Sequence, residues 1–398
     1  MEMTMDRRRF IRGMCLGGIA TFALPAVRFA QVPGRGKMVF VLLRGGFDGL
    51  AALVPIGDPG YDGIRGRMAF GASEVSMLTD GFGLAPGLTP LRSLWDEGEL
   101  LGLHAMAIPY RTRSHFDGQA ILETGLDRPD GSSDGWLNRL LQVMEGERSG
   151  IAVAAGMPRS LHGEHPITTW SPAQLGVVDD EYLERLAVLY RADADLHDRF
   201  EAALQMREIL PQDGAGMGMG MGGRAGPQNR VGPVLSAAAR FLREPGGPNV
   251  AALEFSGWDT HANQGMAGGQ LDRLLQQLSE GILAFRTEMG DDWQDTTVVV
   301  MTEFGRTARP NGTQGTDHGT AGAGFVIGPR VGRSRIISDW PGLSDNSLFE
   351  RRDLRPTLDT RSVLKGVVGG AFDLTRGQVN RVFPGSDNVP VLWDVLGS

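Results

Sequence analysis

VVVMTEFGRTARPNGTQGTDH, residues Val298–His318, is the stretch on which the fold turns. Val298–Thr302 is a short, continuous, largely β-branched apolar run. It reads as a strand buried on both faces, the pattern of strands inside a parallel sheet. Polar residues start where the run stops: Glu303, Arg306, a loop of Gly, Asn and Pro, then Asp317 and His318. Open α/β sheets bind ligands at the carboxyl ends of their strands. An acid, a base and an imidazole therefore fall where chemistry is expected.

The pattern recurs outward from this stretch. Lys37–Leu43, Leu100–His104, Ile151–Ala155, Asn249–Phe255 and Gly324–Ile327 read as further strands. The first runs into a turn that sets Asp48 between glycines, which let the backbone bend sharply. Tyr110–Gly118 places Ser114, His115 and Asp117 at or just before a helix N-terminus, where N–H groups and the dipole favour anions. Asn249–Phe255 leads to Asp259 and His261, two residues apart, a spacing for an extended segment and not for one helix face. Helices are expected at Leu91–Trp95, Trp136–Met144, Pro233–Arg243 and Thr357–Gly366, with one or two amphipathic ones in Glu181–Ile209. Gln270–Met289 carries Leu271, Leu274, Leu275, Leu278, Ile282 and Phe285 at helical offsets. His162–Pro166 reads as a loop, since Gly and Pro accompany its imidazoles. Strand, polar loop and helix in repetition predict an α/β fold, a mostly parallel central sheet with helices on both faces.

The ends and composition narrow the class. Arg7-Arg8-Arg9-Phe10-Ile11-Arg12 is a twin-arginine pattern, followed by a Gly-rich apolar stretch and small residues to Ala30. This predicts a signal peptide at residues 1–30, export through the Tat machinery to the periplasm or beyond, and a single domain at 31–398. The only cysteine, Cys15, lies in that leader, so a metal site in the mature chain must use His and carboxylates. The leader holds five Arg and two acids; losing that net +3 takes the charge from −8 to −11. Such a balance argues against nucleic acid or an anionic membrane surface as partner, and no later run is long enough to span a membrane. Residues 211–229, with Gly214–Gly226 at their centre, read as a flexible Gly/Met-rich loop.

Two divalent ions held by Asp48, Asp259, His261, Glu303, Asp317 and His318 would account for these polar groups; zinc, manganese, calcium and magnesium are the candidates. Ser114 is then the candidate nucleophile or bridging hydroxyl, beside His115, and Arg306 the clamp on an anionic ester.

Four motifs carry a resemblance: LLRGGFDGL, RSHFDGQ with ETG following, GWDTHANQ, and TEFGRT with NGTQGTDHG. Their order after a twin-arginine leader resembles the exported bacterial proteins grouped as DUF1501, of the alkaline phosphatase-like and sulfatase-like superfamily. The resemblance implies that fold and a metal-dependent hydrolase of phosphate or sulfate esters. It implies Asp48 as the first-strand ligand, Ser114 near the nucleophile position, Asp259 and His261 as a second ligand pair, and His318 as a late ligand. The chain departs from the superfamily at Glu303-Phe304, where Asp-His is common. That departure leaves room for another reading: a non-catalytic relative that binds a glycan, an anion or a protein.

Overall fold

The computed structural model describes residues 36–146, 148–154, 156–171 and 231–396, all within one compact unit. The leader, the Glu181–Ile209 helices and the 211–229 loop lie outside the described residues.

The centre of the sheet is β1 (Lys37–Leu43), flanked in parallel by β8 (Val250–Phe255) and β9 (Thr296–Met301). Every residue of β9 is buried, which is why its sequence shows no polar alternation. The main sheet adds β6 (Gly150–Val153) and β7 (Ile167–Trp170) beyond β8, and β10 (Gly322–Ile327), β5 (Leu100–Ala107) and β11 (Arg335–Ile337) beyond β9. A short strand, β12 (Leu358–Asp359), also joins β5. Only β10 runs antiparallel, pairing with β9 and β5; all other pairs are parallel. A separate antiparallel sheet joins β2 (Leu53–Val54), β4 (Gly83–Leu84) and β3 (Ser76–Met77).

Period-two alternation divides the core between the two faces. Val39, Val41 and Leu43 of β1, with Val298 and Val300 of β9, face the core that α3 (Val231–Arg243) and α4 (Gln270–Met289) cover. Met38, Phe40 and Leu42, with Val299 and Met301, face the opposite core. There α1 (His115–Thr124), α2 (Trp136–Val143), α5 (Thr360–Ala371) and α6 (Arg376–Val382) contribute. The expected architecture, a mostly parallel sheet with helices on both faces, is the observed one.

Differences arise where tertiary pairing overrides local pattern. The helix expected at Thr357–Gly366 starts at Thr360, because Thr357 N–H bonds to the Ala105 carbonyl and Leu358–Asp359 pairs with β5. Asp359 then caps the helix, accepting from Arg361 N–H at 2.8 Å. The short edge strands β7, β11 and β12 carry too few residues for a periodic signal. His162 and His165 lie in a loop, their Nε2 atoms on the Met157 and Arg148 carbonyls.

Candidate metal centre

Because β1, β5, β8 and β9 are mutually aligned, their carboxyl ends meet at one edge of the sheet. Four loops enter it there: Arg44–Gly49 after β1, Tyr110–Ser114 after β5, Ser256–Gln264 after β8, and Thr302–Ala321 after β9.

Three imidazoles converge at this edge. His318 Nε2 lies 2.9 Å from Nε2 of His115 and 2.9 Å from Nε2 of His261. The Asp259 carboxylate closes the group: Oδ1 is 3.1 Å from His261 Nε2 and 3.3 Å from His318 Nε2, and Oδ2 is 3.4 Å from His115 Nε2. Each far nitrogen meets an oxygen acceptor. His115 Nδ1 is 2.7 Å from Glu303 Oε1, His261 Nδ1 is 3.2 Å from Asp317 Oδ1, and His318 Nδ1 is 3.1 Å from the Arg113 carbonyl. A carboxylate or carbonyl takes a proton and has none to give, so a proton on Nδ1 of each ring satisfies these outer acceptors and leaves Nε2 to face Asp259 and the other rings. Three Nε2 lone pairs and a carboxylate are then aimed into one space. Such a set repels itself unless a cation sits among it, and outer acceptors on Nδ1 are the usual support of metal-bound imidazoles. The residues fit a divalent ion held by His115, Asp259 and His318, with His261 beside them on Asp259 and His318. An imidazole-rich set suits zinc or manganese better than calcium or magnesium, which prefer all-oxygen ligands.

The outer layer is built on buried residues. Glu303 is fully buried and accepts from Gly45 N–H at 2.9 Å and Gln119 Nε2 at 3.0 Å as well as from His115. Burial alone would raise its carboxyl; these donors, His115 first, bring it below the usual range. The Glu303 bond, set against partial burial, holds the His115 imidazole above its ordinary value, whereas burial and then the nearby His115 push His318 down. The Asp259 carboxyl is likewise kept low: burial opposes this, and the Arg306 guanidinium, then His261, overcomes it. Asp317 is held low chiefly by Asn311, whose Nδ2 donates at 3.0 Å.

Phe304 lies beneath the rings, its centroid 4.9 Å from that of His115 and 5.2 Å from that of His318. Gly46, at φ 64°, passes so close that a Cβ there would stand 2.7 Å from the Phe304 ring. Arg113 takes a left-handed φ of 65°, uncommon outside glycine, and its carbonyl serves His318.

Of the residues expected at the site, His115, Asp259 and His318 come together around one point, with His261 against Asp259 and His318 and with Glu303 and Asp317 one layer out. Three stand elsewhere than expected. Ser114 caps α1, its hydroxyl accepting from Asp117 N–H at 3.5 Å, a cap and not a member of the cluster. Arg306 is buried, with its donors on the carbonyls of Gly46, Thr316 and Trp258 and on Asp259, so it holds the loops and the carboxylate rather than offering a free clamp. Asp48 is buried against Arg65 and accepts from Gln264 Nε2 at 2.8 Å. Three supporting residues were not singled out from sequence. Gln264 and Asn311 lie inside the quoted motifs, and Arg65 lies in a Gly/Asp-rich stretch with no local signal.

A search of curated proteins finds no match. Among solved structures, Ps i-CgsB in complex with k-i-k-neocarrahexaose aligns at 8% identity and TM-score 0.42, over 86% of this chain and 74% of that one. The PsFucS1 sulfatase from Pseudoalteromonas sp. aligns at 13% identity and TM-score 0.33, over 76% and 64%. The phosphonate monoester hydrolase of Agrobacterium radiobacter aligns at 12% identity and TM-score 0.32, over 76% and 70%. The family described as "Protein of unknown function (DUF1501)" matches residues 98–383, a span that includes all four converging side chains. With well over half of its length matched, the chain belongs to the DUF1501 family.

Proposed function

We propose that the protein is an exported, metal-dependent hydrolase of phosphate or sulfate esters. The observation that carries the metal centre is the convergence of three imidazole Nε2 atoms on the Asp259 carboxylate, each ring held from behind through Nδ1. The choice of ester rests on the motif resemblance to alkaline phosphatase-like enzymes, and export rests on the twin-arginine leader. Among the described residues no helix is long and apolar enough to cross a membrane.

A divalent ion in such a site supplies a Lewis acid for the ester oxygens and lowers the pKa of a bound water. The chain's own groups divide the remaining work. Asp259, His115 and His318 would hold the ion, and His261 supports Asp259 and His318. Glu303 and Asp317 keep the Nδ1 protons in place, and Phe304 fixes the ring planes of His115 and His318. With Ser114 engaged as a helix cap, the attacking group in this reading is a water molecule and not the serine.

One observation favours a second reading, a non-catalytic relative that binds a glycan, an anion or a protein. The arginines nearest the cluster are already paired: Arg306 with Asp259, and Arg113 with Asp353 and Glu350. The test is turnover of aryl phosphate, aryl sulfate and phosphonate monoesters by the purified mature protein loaded with zinc or manganese, beside His261→Ala. Metal-dependent turnover lost in the variant supports the hydrolase. Bound metal with no turnover on any ester class refutes it and leaves the binding reading.

A further inference from the structure

Asp48 is the residue to which the resemblance assigns a metal, yet its carboxylate already has a cation. The Arg65 guanidinium, fully buried, donates through Nη2 to Asp48 Oδ2 and through Nη1 to the Ala308 carbonyl at 3.3 Å. Gln264 Nε2 donates to the same Oδ2 at 2.8 Å. Gln264 Oε1 accepts from Thr260 Oγ1 and Thr316 Oγ1, both at 2.8 Å, and turning the amide would set that oxygen against the Asp48 carboxylate. A divalent ion on Asp48 Oδ2 would face a fixed positive charge and the hydrogens of an amide.

From this we infer that the centre takes one divalent ion, on His115, Asp259 and His318, and that Arg65 is a built-in substitute for a second. The inference rests on reading the cluster as a metal centre. Charge balance supports the count independently of ligand geometry. Asp259, Glu303 and Asp317 bring three negative charges to the cluster and its outer layer, and Arg306 brings one positive. One divalent ion cancels the remainder. A second would leave an excess of two, and the buried carboxylates of Asp48 and Asp353 are already neutralised, by Arg65 and by Arg113 with Arg352. Burying uncompensated charge is strongly unfavourable.

The same network ties the centre to the core. Thr260 sits between Asp259 and His261, and Thr316 two residues before His318. Gln264 therefore clasps two ligand loops while its amide hydrogens face the Asp48–Arg65 pair.

The experiment is an equilibrium zinc titration of the metal-stripped full chain, with bound metal counted by mass spectrometry, for the wild type, Asp48→Asn and His318→Ala. Asn keeps the shape and an oxygen to accept from Arg65. One zinc per chain is expected in the wild type and in Asp48→Asn, with Kd changed by less than about threefold, against a loss of about tenfold or more in His318→Ala. Two zinc ions per wild-type chain would overturn the inference while leaving the hydrolase reading intact. So would a tenfold weaker Kd in folded Asp48→Asn. No bound zinc would remove the centre itself, and one zinc without ester turnover would sink the hydrolase reading alone. The wild-type count decides even if Asp48→Asn fails to fold.

Discussion

Acidification should destabilise the protein through a histidine that lies outside the candidate metal centre. His104, on β5, is fully buried. Its Nε2 is 3.0 Å from the Leu53 carbonyl and so carries the proton, and its Nδ1 accepts from Ala105 N–H at 2.8 Å. A second proton would have no acceptor and would set two donors against each other. Burial, only partly offset by the Leu53 carbonyl, accordingly lowers the imidazole from 6.5 to about 4. The sign follows from linkage. Between these values the unfolded chain binds a proton that the native state refuses, so stability is whole above the unfolded pKa and falls as pH drops towards the folded one. The full loss is about 3 kcal/mol, of which about 2.5 kcal/mol falls between pH 7.5 and 4.5. The assay is urea unfolding of wild type and His104→Gln at both pH values, with chelator present so that metal release is common to neither arm. The variant should lose about 2.5 kcal/mol less than the wild type across that interval. Parallel losses would refute the reasoning, since they would mean that His104 titrates alike in both states or is already charged in the fold.

Two further outcomes are expected. Glu303→Gln leaves an oxygen for His115 but removes the charge behind it, so zinc affinity measured against a chromophoric chelator should fall about 10- to 100-fold, with thermal stability of the metal-free protein far less affected; unchanged affinity would deny Glu303 its role. Gln264→Ala strips Asp48 of one donor and two threonine hydroxyls of their acceptor in a buried site, a destabilisation of about 2–3 kcal/mol by denaturant unfolding. A change within experimental error would show that water restores those bonds.

The parts of the fold that were legible in sequence are those where one physical demand dominates. β1 and α4 appear at the expected residues because a doubly buried strand imposes an unbroken apolar run and a long one-sided helix a period of 3.6 residues. The edge strand β12 was not legible, because a two-residue pairing with β5 leaves no period to read. In the candidate site, the loops singled out from sequence are ones that the strand ends bring together, but sequence could not rank their side chains. Carboxylates and imidazoles look alike as ligands until the far nitrogen of each ring has a partner. Glu303 and Asp317 therefore read as ligands although they stand behind His115 and His261. Asp48 read as a ligand because its neutralising partner, Arg65, sits in a segment with no pattern of its own and meets it only in the fold. Ser114 read as a nucleophile because a hydroxyl before a helix serves as cap or nucleophile with the same local sequence, and only the fold shows the cap.

The reversed direction of β10 has an architectural consequence. A chain leaving β9 for a parallel neighbour must first travel to the opposite edge of the sheet. Because β10 runs the other way, the chain leaves and re-enters at one edge, and Thr302–Ala321 becomes a loop tethered at both ends by adjacent strands. Glu303, Arg306, Asp317 and His318 thus travel together as a single cassette. A one-residue slip of the strands that carry it would exchange the two faces of the sheet, so the register Val300 to Phe325 also sets the aim of the imidazole that stands midway between the other two.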